Sequence, residues 1–246
     1  MPHSKNQLFA RLGAEQLAQF SSHLKVVALR QGELIADTHG NVRKVYFPHS
    51  GIISCFVEMK GGNAIETGMI GNDGAFGAAQ ALDDKVSLNK VTIQVPGFAS
   101  AIDADRLRQA AERSKAFRKL LIDYELFMTA QVQQTAACNA VHGIQTRICR
   151  WLLRMQELVG NHMPLTQEFL SQMIAVRRSS VTEVAGDMQR AGMISYARGR
   201  LHIVDIELIR MNACECHDDI RSHYDRIMGE SGSPNSASYK GTLMAQ

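Results

Sequence analysis

The sequence has no run of about 18 consecutive apolar residues, so no transmembrane helix and no membrane partner are expected. Its first residues have neither a continuous apolar segment nor a small-residue cleavage site, so they do not form a secretory signal. The five cysteines are an odd number without a repeating spacing, which excludes a disulfide framework. These absences predict a cytoplasmic protein with reduced thiols.

The sequence also lacks the short motifs of the common enzyme classes. It contains no nucleophile elbow, no phosphate-binding loop and no H-E-x-x-H motif, so an enzyme is not expected. A cupin-like metalloenzyme barrel is the alternative from this class, because such barrels bind metal through histidines on neighbouring strands. Residues 25–101 offer only His39 and His49 for that purpose, both in turn-like surroundings.

What the sequence does have is an uneven distribution of charge. The whole chain has a net charge of only +3. Residues 144–204 nevertheless contain eight basic and four acidic residues, whereas residues 205–246 contain four basic and seven acidic ones. Positive charge collected in one segment favours a partner such as nucleic acid, although a solvated surface has the same composition.

The N-terminal half is typical of an antiparallel β-roll or barrel. After a helical stretch over about residues 6–24, short β-branched runs such as "LKVVAL", "GIISCFVEM" and "KVTIQV" alternate with glycine-containing turns. The clearest hairpin turns are at residues 60–63 and 72–74. Together with the helices that follow, this pattern predicts an α+β fold.

A long helix is predicted for residues 115–142, from apolar residues that recur at nearly heptad spacing. Such a stripe favours packing against a second copy of the chain, although the helix could instead pack only on its own domain. The apolar positions are Phe117, Leu120, Leu121, Tyr124, Met128, Val132 and Ala136.

The segment that follows has the outline of a winged helix-turn-helix. Thr166 is placed as the N-cap of a helix in "LTQEFLSQMIA", and "RRSSVTEVAGDMQRAGMI" forms a second helix ending at Gly192. "SYARGRLHIV" predicts two short strands around a basic tip. In this motif the second helix lies in the major groove of DNA, and its N-terminal residues contact base edges.

The predicted DNA-binding residues lie in the second helix, at the cap of the first helix and in the hairpin tip. Arg178 can form a bidentate pair with guanine, and Glu183 can accept a hydrogen bond from cytosine. Hydroxyl side chains and the remaining arginines can bind phosphate, and each residue also has a purely structural interpretation as a cap or turn residue. The full set is Thr166, Arg177, Arg178, Ser179, Ser180, Thr182, Glu183, Arg198 and Arg200.

Taken together, the β-roll, the long helix and the winged helix-turn-helix resemble the CRP/FNR family of bacterial transcription regulators. The resemblance covers about residues 8–210 and is most specific in "LTQEFLSQMIAVRRSSVTEVAGDMQRAGMI". It implies a homodimer that binds a palindromic site in double-stranded DNA and contacts RNA polymerase. The family's base-reading residues fall on Arg178, Ser179 and Glu183. Ser179 replaces a commonly acidic residue, and Ala175 replaces the usual glycine of the turn.

The same resemblance implies a cyclic-nucleotide-binding-like sensory roll, but the usual effector residues are missing. Members that bind cyclic AMP have a Gly-Glu pair followed later by Arg-Ser. Here Gly77 is followed by Ala78, and Leu88 and Asn89 stand in place of Arg-Ser. A phosphate would lose its main charge partner, so cyclic AMP binding by the usual route is not expected.

The charges nearby lead to the same expectation. Asp83 and Asp84 would repel a phosphate, and Lys85 or Lys90 would have to replace the missing arginine. No cofactor is predicted, and the effector stays unknown; control by abundance without any ligand is one alternative.

Other sensing chemistries are alternatives within the same architecture. An FNR-type iron–sulfur centre is excluded because no cysteine precedes Cys55. A haem-sensing regulator would use histidines of the roll, where His23, His39 and His49 are available. A redox-sensing one would use Cys138 or the "CECH" run at residues 214–217. That run could also contribute to a metal site. Two cysteines one residue apart on a helix point in different directions, so no metal site is predicted.

These assignments divide the chain into four parts. They are a sensory roll at residues 1–113, a dimerisation helix at 114–143, a winged helix-turn-helix at 144–212, and a helical extension with a disordered tail at 213–246.

Overall fold

The computed structural model describes residues 2–83 and 86–229. Its N-terminal strands are β1 (Lys25–Leu29), β2 (Leu34–Ala36), β3 (Lys44–Glu58), β4 (Ala64–Ile70) and β5 (Lys90–Asp103). They pair antiparallel in the order β1-β5-β3-β4, with β2 beside β5. The predicted α+β fold with an antiparallel N-terminal sheet is therefore confirmed.

Two facing glycines allow the long strands β3 and β5 to approach closely where they bend. The pairing register shifts on either side of Ser50. A Cβ atom on Gly97 would lie 2.2 Å from the backbone oxygen of Ser50, and one on Gly51 would lie 2.5 Å from that of Val95. Gly51 also has a φ of +82°, which favours glycine. A side chain at either position would push the two strands apart.

The predicted N-terminal helical stretch is helical but interrupted. Its two pieces are α1 (Gln7–Leu12) and α2 (Ala14–Ala18). Gly13 separates them because its φ of +84° does not fit an α-helix. Phe9 of α1 stacks on Phe47 of β3 with 4.2 Å between the ring centroids, which fixes α1 on the sheet. Two further helices of this part are α3 (Ala78–Leu82) and α4 (Ala104–Arg113).

The long helix α5 (Lys115–Val141) follows α4 and packs on the roll. Ser114 caps it by accepting a hydrogen bond from the backbone N–H of Phe117 at 3.2 Å. Phe117, Leu121 and Tyr124 are buried in the core of their own chain. The apolar stripe read from the sequence thus faces the roll over this part of its length. No helix of the described residues is long and apolar enough to cross a membrane.

The C-terminal part is a winged helix-turn-helix, as predicted. Its first helix buries Trp151 and Leu152 against the motif, and its three short strands pair in the order β6-β8-β7. The elements are α6 (Ile144–Val159), β6 (His162–Met163), α7 (Gln167–Met173), α8 (Arg178–Arg190), β7 (Ile194–Ala197), β8 (Arg200–Ile203) and α9 (Ile206–Asn212).

A last helix, α10 (Cys216–Met228), packs along α5 and reaches the roll. The hydroxyl of Tyr224 donates to the backbone oxygen of Asp73 at 3.1 Å. The guanidinium of Arg11 in α1 donates to the backbone oxygen of Met228 at 2.7 Å. The predicted helical extension is therefore a packed part of the fold, and most of the predicted disordered tail lies outside the described residues.

Candidate DNA-binding surface

A cap and a strained turn position the first helix of the motif. The hydroxyl of Thr166 accepts a hydrogen bond from the backbone N–H of Phe169 at 3.2 Å and thereby fixes the start of α7. In the turn that leads to α8, Ala175 has a φ of +53°. Glycine adopts this left-handed conformation readily, whereas alanine pays a steric cost for it.

Burial of one face sets the rotation of α8. The helix begins at Arg178, with Arg177 as its N-cap. Val181, Ala185 and Met188 follow a spacing of three and four residues, and all three are buried in the core of the motif. The remaining positions of the first two turns consequently point away from the core.

The outward face of α8 carries most of the polar residues predicted to contact DNA. Arg178, Ser179, Thr182 and Glu183 are all exposed and lie within about one helical turn of each other. The hydroxyl of Thr182 donates to the backbone oxygen of Arg178 at 3.0 Å. Ser180 is only partly exposed, so it lies off the centre of this face.

The wing brings a second group of predicted residues together. Arg198 and Gly199 have φ values of +50° and +72°, as in the two-residue type I′ turn of a tight hairpin. Arg198 and Arg200 are exposed. A Cβ atom added to Gly199 would lie 3.4 Å from Cγ2 of Thr166, so the wing tip is adjacent to the cap of α7.

Two residues that were not predicted connect these groups. The backbone N–H of Tyr196 in β7 donates to Oε1 of Gln189 in α8 at 2.8 Å, so this strand of the wing packs against α8. Gln167 accepts a hydrogen bond from Thr182 at 3.2 Å and links α7 to α8. No sequence pattern distinguishes a tyrosine on a strand or a glutamine in a first helical turn from ordinary surface residues.

Arg177 is separated from the outer face of α8. It lines a groove between the turn of the motif and the β3–β4 hairpin, together with Asn63 and Gln172. The structure therefore does not group Arg177 with the other predicted residues, and its contact with DNA stays a prediction.

A buried ion pair joins α6 to the roll. Nη2 of Arg154 lies 2.7 Å from Oδ2 of Asp73, with 17% and 11% of the side chains exposed. Burial would lower the pKa of Arg154, but the carboxylates of Asp73 and Glu157 outweigh it and raise that pKa. A cavity of about 370 Å³ adjoins the pair. We call Asp73, Arg150, Arg154 and Tyr224, which line this cavity, the interdomain junction.

The strand β4 places a carboxyl group in the protein interior. Glu66 is fully buried, and neither carboxyl oxygen has a hydrogen-bond partner among the described residues. Nearby Ser54 donates its hydroxyl to Oε1 of Gln94 at 2.7 Å instead. Burial raises the pKa of Glu66 to about 8, against smaller opposing effects of Ser54 and Arg150. Glu66 is consequently mostly protonated at neutral pH.

Two residues near the expected phosphate-binding position of the roll, Leu88 and Lys90, are described by the structure. Leu88 is 72% exposed. The amino group of Lys90 lies 2.7 Å from Oε1 of Glu58, so this cation is engaged in an ion pair. Asp84 and Lys85, whose charges entered the sequence argument, lie outside the described residues.

Three of the cysteines gather at the end of α5. Sγ of Cys138 lies 3.6 Å from Sγ of Cys214, and Sγ of Cys216 lies 3.6 Å from Nδ1 of His142. The prediction of one helix that contains both Cys214 and Cys216 is wrong, because α10 begins only at Cys216. The pair Cys138 and His142, one helical turn apart, was missed; its four-residue spacing was the available indication. We call these four residues the thiol cluster.

The sequence of the motif matches a known family. Residues 146–211 match the family model described as the Crp-like helix-turn-helix domain. The chain therefore contains a Crp-like helix-turn-helix domain. The resemblance to CRP/FNR transcription regulators is thereby confirmed.

Solved structures share the fold of this Crp-like protein. A CRP-family transcriptional regulator from Thermus thermophilus is 18% identical, with a TM-score of 0.64 over 76% of this chain and 95% of that one. The c-di-GMP-responsive regulator CLP of Xanthomonas campestris is 13% identical, with a TM-score of 0.65 over 78% and 100% of the two chains. FixK2 of Bradyrhizobium japonicum is 11% identical, with a TM-score of 0.66 over 78% and 98%. No curated protein sequence matches the chain.

Proposed function

We propose that this Crp-like protein is a homodimeric transcription regulator that binds a palindromic site in double-stranded DNA. The observation that carries the proposal is the exposed polar face of α8, in a domain whose wing tip carries two further exposed arginines. We propose no enzymatic activity. The function belongs in the cytoplasm, where the DNA and the RNA polymerase that such a regulator contacts are found.

Each residue of the surface has a role suited to its chemistry. Arg178 stands in the first turn of α8, where a guanidinium reaches a guanine edge and forms two parallel hydrogen bonds. Glu183 lies one turn beyond Ser179 and accepts from a cytosine amino group. The phosphate contacts, which hold the register of the protein on DNA, come from hydroxyl and basic side chains at the edges of the surface. They are Thr166, Arg177, Ser180, Thr182, Arg198 and Arg200.

An exposed stripe on α5 supports the homodimer. Ile122 and Leu126 are 50% and 57% exposed, although both are large apolar side chains on a long helix. The stripe continues at alternating steps of four and three residues, which is the spacing of a coiled-coil seam. Its exposed members are Ile122, Leu126, Thr129, Gln133, Ala136 and Ala140. Two chains joined along this stripe would present their α8 helices to successive major grooves, about 34 Å apart.

The effector of the roll is not a cyclic nucleotide bound in the usual way. An exposed Leu88 cannot replace an arginine, and Lys90 is already paired with Glu58. A phosphate placed there would have no free cation among these residues to offset its charge. Control by a different ligand or by abundance is compatible with the rest of the proposal.

The histidines of the roll do not favour haem binding or a cupin-like metal centre. His39 is exposed on a turn. Nε2 of His49 lies 2.7 Å from the hydroxyl of Ser100. Either centre needs ligands that converge on one point, and these two side chains are engaged in different surroundings.

The test is selection of bound DNA from a random-sequence pool, with Arg178→Ala beside the unmodified protein. Arg190→Ala is the matched control, because Arg190 lies at the far end of the same helix and pairs with Asp187. We expect the unmodified protein and the control to select one two-fold symmetric motif. Arg178→Ala should lose preference at one base pair in each half-site.

The outcomes separate the parts of the proposal. A single unrepeated half-site would contradict the homodimer. A motif unchanged by Arg178→Ala would contradict base contact by that residue. Absence of any motif, both for purified protein and with cell extract added, would contradict sequence-specific DNA binding.

A further inference from the structure

Four side chains able to bind a metal meet where α5 ends and α10 begins. These are the members of the thiol cluster, whose ligand atoms all lie within 4.8 Å of one another. Its three cysteines are buried, and its histidine is partly buried. We propose that Cys138, His142, Cys214 and Cys216 together bind one Zn²⁺ ion. The proposal does not depend on the proposed function, because it concerns residues outside the DNA-binding surface.

The spacing of the ligand atoms suits a tetrahedral ion. Zinc bonds of about 2.3 Å to sulfur and about 2.0 Å to nitrogen place neighbouring ligand atoms roughly 3.5–3.8 Å apart. Cys138 Sγ lies 3.6 Å from Cys214 Sγ. Cys216 Sγ lies 3.6 Å from His142 Nδ1. Two opposite edges of the tetrahedron therefore already have the required length.

The surroundings supply the hydrogen bonds that metal ligands usually receive. With Nδ1 of His142 on the metal, Nε2 carries the proton and lies 3.3 Å from Oε1 of Glu215. A carboxylate in this position orients the imidazole and strengthens it as a ligand. Nε2 of Gln134 donates to Sγ of Cys216 at 3.2 Å, which stabilises a thiolate.

The charges nearby also suit a bound ion. Three thiolates and one Zn²⁺ have a net charge of −1. The positive charges of Arg147 and Arg150 both interact with Cys138. Binding releases the three thiol protons, so zinc affinity rises with pH.

The set of four ligands favours zinc over an iron–sulfur cluster or a disulfide. Three thiolates and an imidazole in a closed, four-coordinate arrangement are typical of structural zinc sites. An iron–sulfur cluster spreads its cysteines over several irons, and ligand atoms within 4.8 Å of one another leave no room for one. A disulfide between Cys138 and Cys214 would use only half of the set.

The position of the site gives the ion a structural task. Cys138 and His142 lie at the end of α5, next to Gly143, where α6 begins. Cys214 lies between the DNA-binding domain and α10, and Cys216 is the first residue of α10. One ion would thus hold the end of the long helix, the DNA-binding domain and the extension α10 together.

The experiment measures metal in full-length protein purified from zinc-supplemented medium under reducing conditions. We expect one zinc per chain, falling to near zero in Cys214→Ser and Cys216→Ser. Cys55→Ser and Cys149→Ser are matched controls, because both residues are buried cysteines outside the cluster, and they should retain the full equivalent. A metal content that does not differ between the two pairs of variants would overturn the proposal.

A second measurement does not depend on how the variants fold. Unmodified protein, stripped of metal and kept reduced, is titrated with Co²⁺ and followed by absorbance. Intense thiolate-to-cobalt bands that saturate at one equivalent, and that zinc then displaces, would support a tetrahedral thiolate site. Absence of these bands, or recovery of a Cys138–Cys214 disulfide in metal-free protein as isolated, would overturn it.

Discussion

The outer face of α8 and the interdomain junction contain the same kinds of side chain in opposite settings. Arg178 and Glu183 on α8 are exposed. Arg154 and Asp73 at the junction are mostly buried and pair at 2.7 Å. A charged group in water can exchange solvent for a ligand at low cost, whereas a buried charge that loses its partner is strongly destabilising. Similar residues therefore suit binding in one region and stability in the other.

This comparison predicts that substitutions will separate into two classes. Changes on the face of α8 should alter DNA binding and leave the free energy of unfolding within about 0.5 kcal/mol. Changes at the junction should alter the free energy of unfolding first. The predictions below run from the largest expected effect to the smallest.

Asp73→Asn should lower the free energy of unfolding by about 3 kcal/mol, because Arg154 stays buried and keeps only the more distant carboxylate of Glu157, at 3.9 Å. Denaturant titration measures this effect. Asp105→Asn is the control, since Asp105 is 81% exposed in its pair with Arg108 and should cost less than about 1 kcal/mol. Equal losses for the two variants would mean that burial does not distinguish the junction from the surface.

The buried carboxyl of Glu66 should make stability depend on pH. Its pKa is 4.5 before perturbation and about 8 in the folded chain. Above about pH 4.5 the unfolded chain loses a proton that the folded chain retains, so stability falls as pH rises and the fall ends near pH 8. Between about pH 5 and about pH 8 the loss should be on the order of 3 kcal/mol.

Glu66→Gln should remove most of this dependence, because the amide does not ionise. Exposed Glu112→Gln is the control and should leave the pH profile unchanged. Denaturant titrations across that range measure both. A profile for Glu66→Gln that is parallel to the unmodified one would show that another group is responsible.

Two arginine variants should distinguish a residue that sets the sequence specificity of DNA binding from one that contributes only to affinity. Arg178→Ala should cost about 1–3 kcal/mol per half-site on the selected site and much less on other sequences. Arg200→Ala should weaken binding to all sequences and reduce the slope of log K against log salt by about one per half-site. Fluorescence anisotropy at several salt concentrations measures both. Equal effects of the two variants on affinity, sequence preference and salt slope would contradict base contacts by α8 and phosphate contacts by the wing.

Gln134→Ala should weaken zinc binding by about 10–100-fold, because a partner that hydrogen-bonds a metal ligand contributes on this scale. Competition with a chelator of known affinity measures the change. Gln109→Ala on α4 is the control and should bind zinc as the unmodified protein does. Unchanged zinc affinity in Gln134→Ala would show that the hydrogen bond from Gln134 to Cys216 does not contribute to zinc binding.

Ala175→Gly should raise the free energy of unfolding by up to about 1 kcal/mol, because glycine relieves the left-handed strain and the gain exceeds its entropic cost. Ala191→Gly is the control, since Ala191 has an ordinary φ of −77° and the change should cost about 0.5–1 kcal/mol. Thermal unfolding of both variants measures the signs. A loss in both would show that the turn accommodates alanine without strain.

The DNA-binding domain could be predicted in detail because its determinants are local. The cap at Thr166, the burial of Val181 and the turn at Arg198 each depend on residues only a few positions away. The periodicity of the first two turns of α8 predicted most of the outward side chains, although Ser180 is only partly exposed. The roll was predicted in kind from its glycine turns, although Gly13 was not recognised as a helix break.

The long helix shows where sequence patterns stop being decisive. α5 has one apolar stripe through Phe117, Leu121 and Tyr124, and a second through Ile122 and Leu126. Both have near-heptad spacing. The sequence does not say which stripe the roll covers, because that depends on residues far away in the chain.

The junction and the thiol cluster were missed for the same reason. Cys138 and Cys214 are 76 residues apart and meet only because α10 folds back along α5. The false step was to extend α10 back over Cys214. Because α10 begins at Cys216, two residues beyond Cys214, Cys214 lies outside the helix and both thiols reach the same cluster.

The return of α10 to the roll has a mechanical consequence. The DNA-binding domain follows α5 at Gly143, the Arg154–Asp73 pair holds it on the roll, and α10 adds a further attachment through Tyr224 and Met228. A domain held by a single connection can reorient freely, whereas a domain held at several points cannot. We expect that reorientation of the two α8 helices in a dimer requires α10 to separate from the roll and the Arg154–Asp73 pair to open.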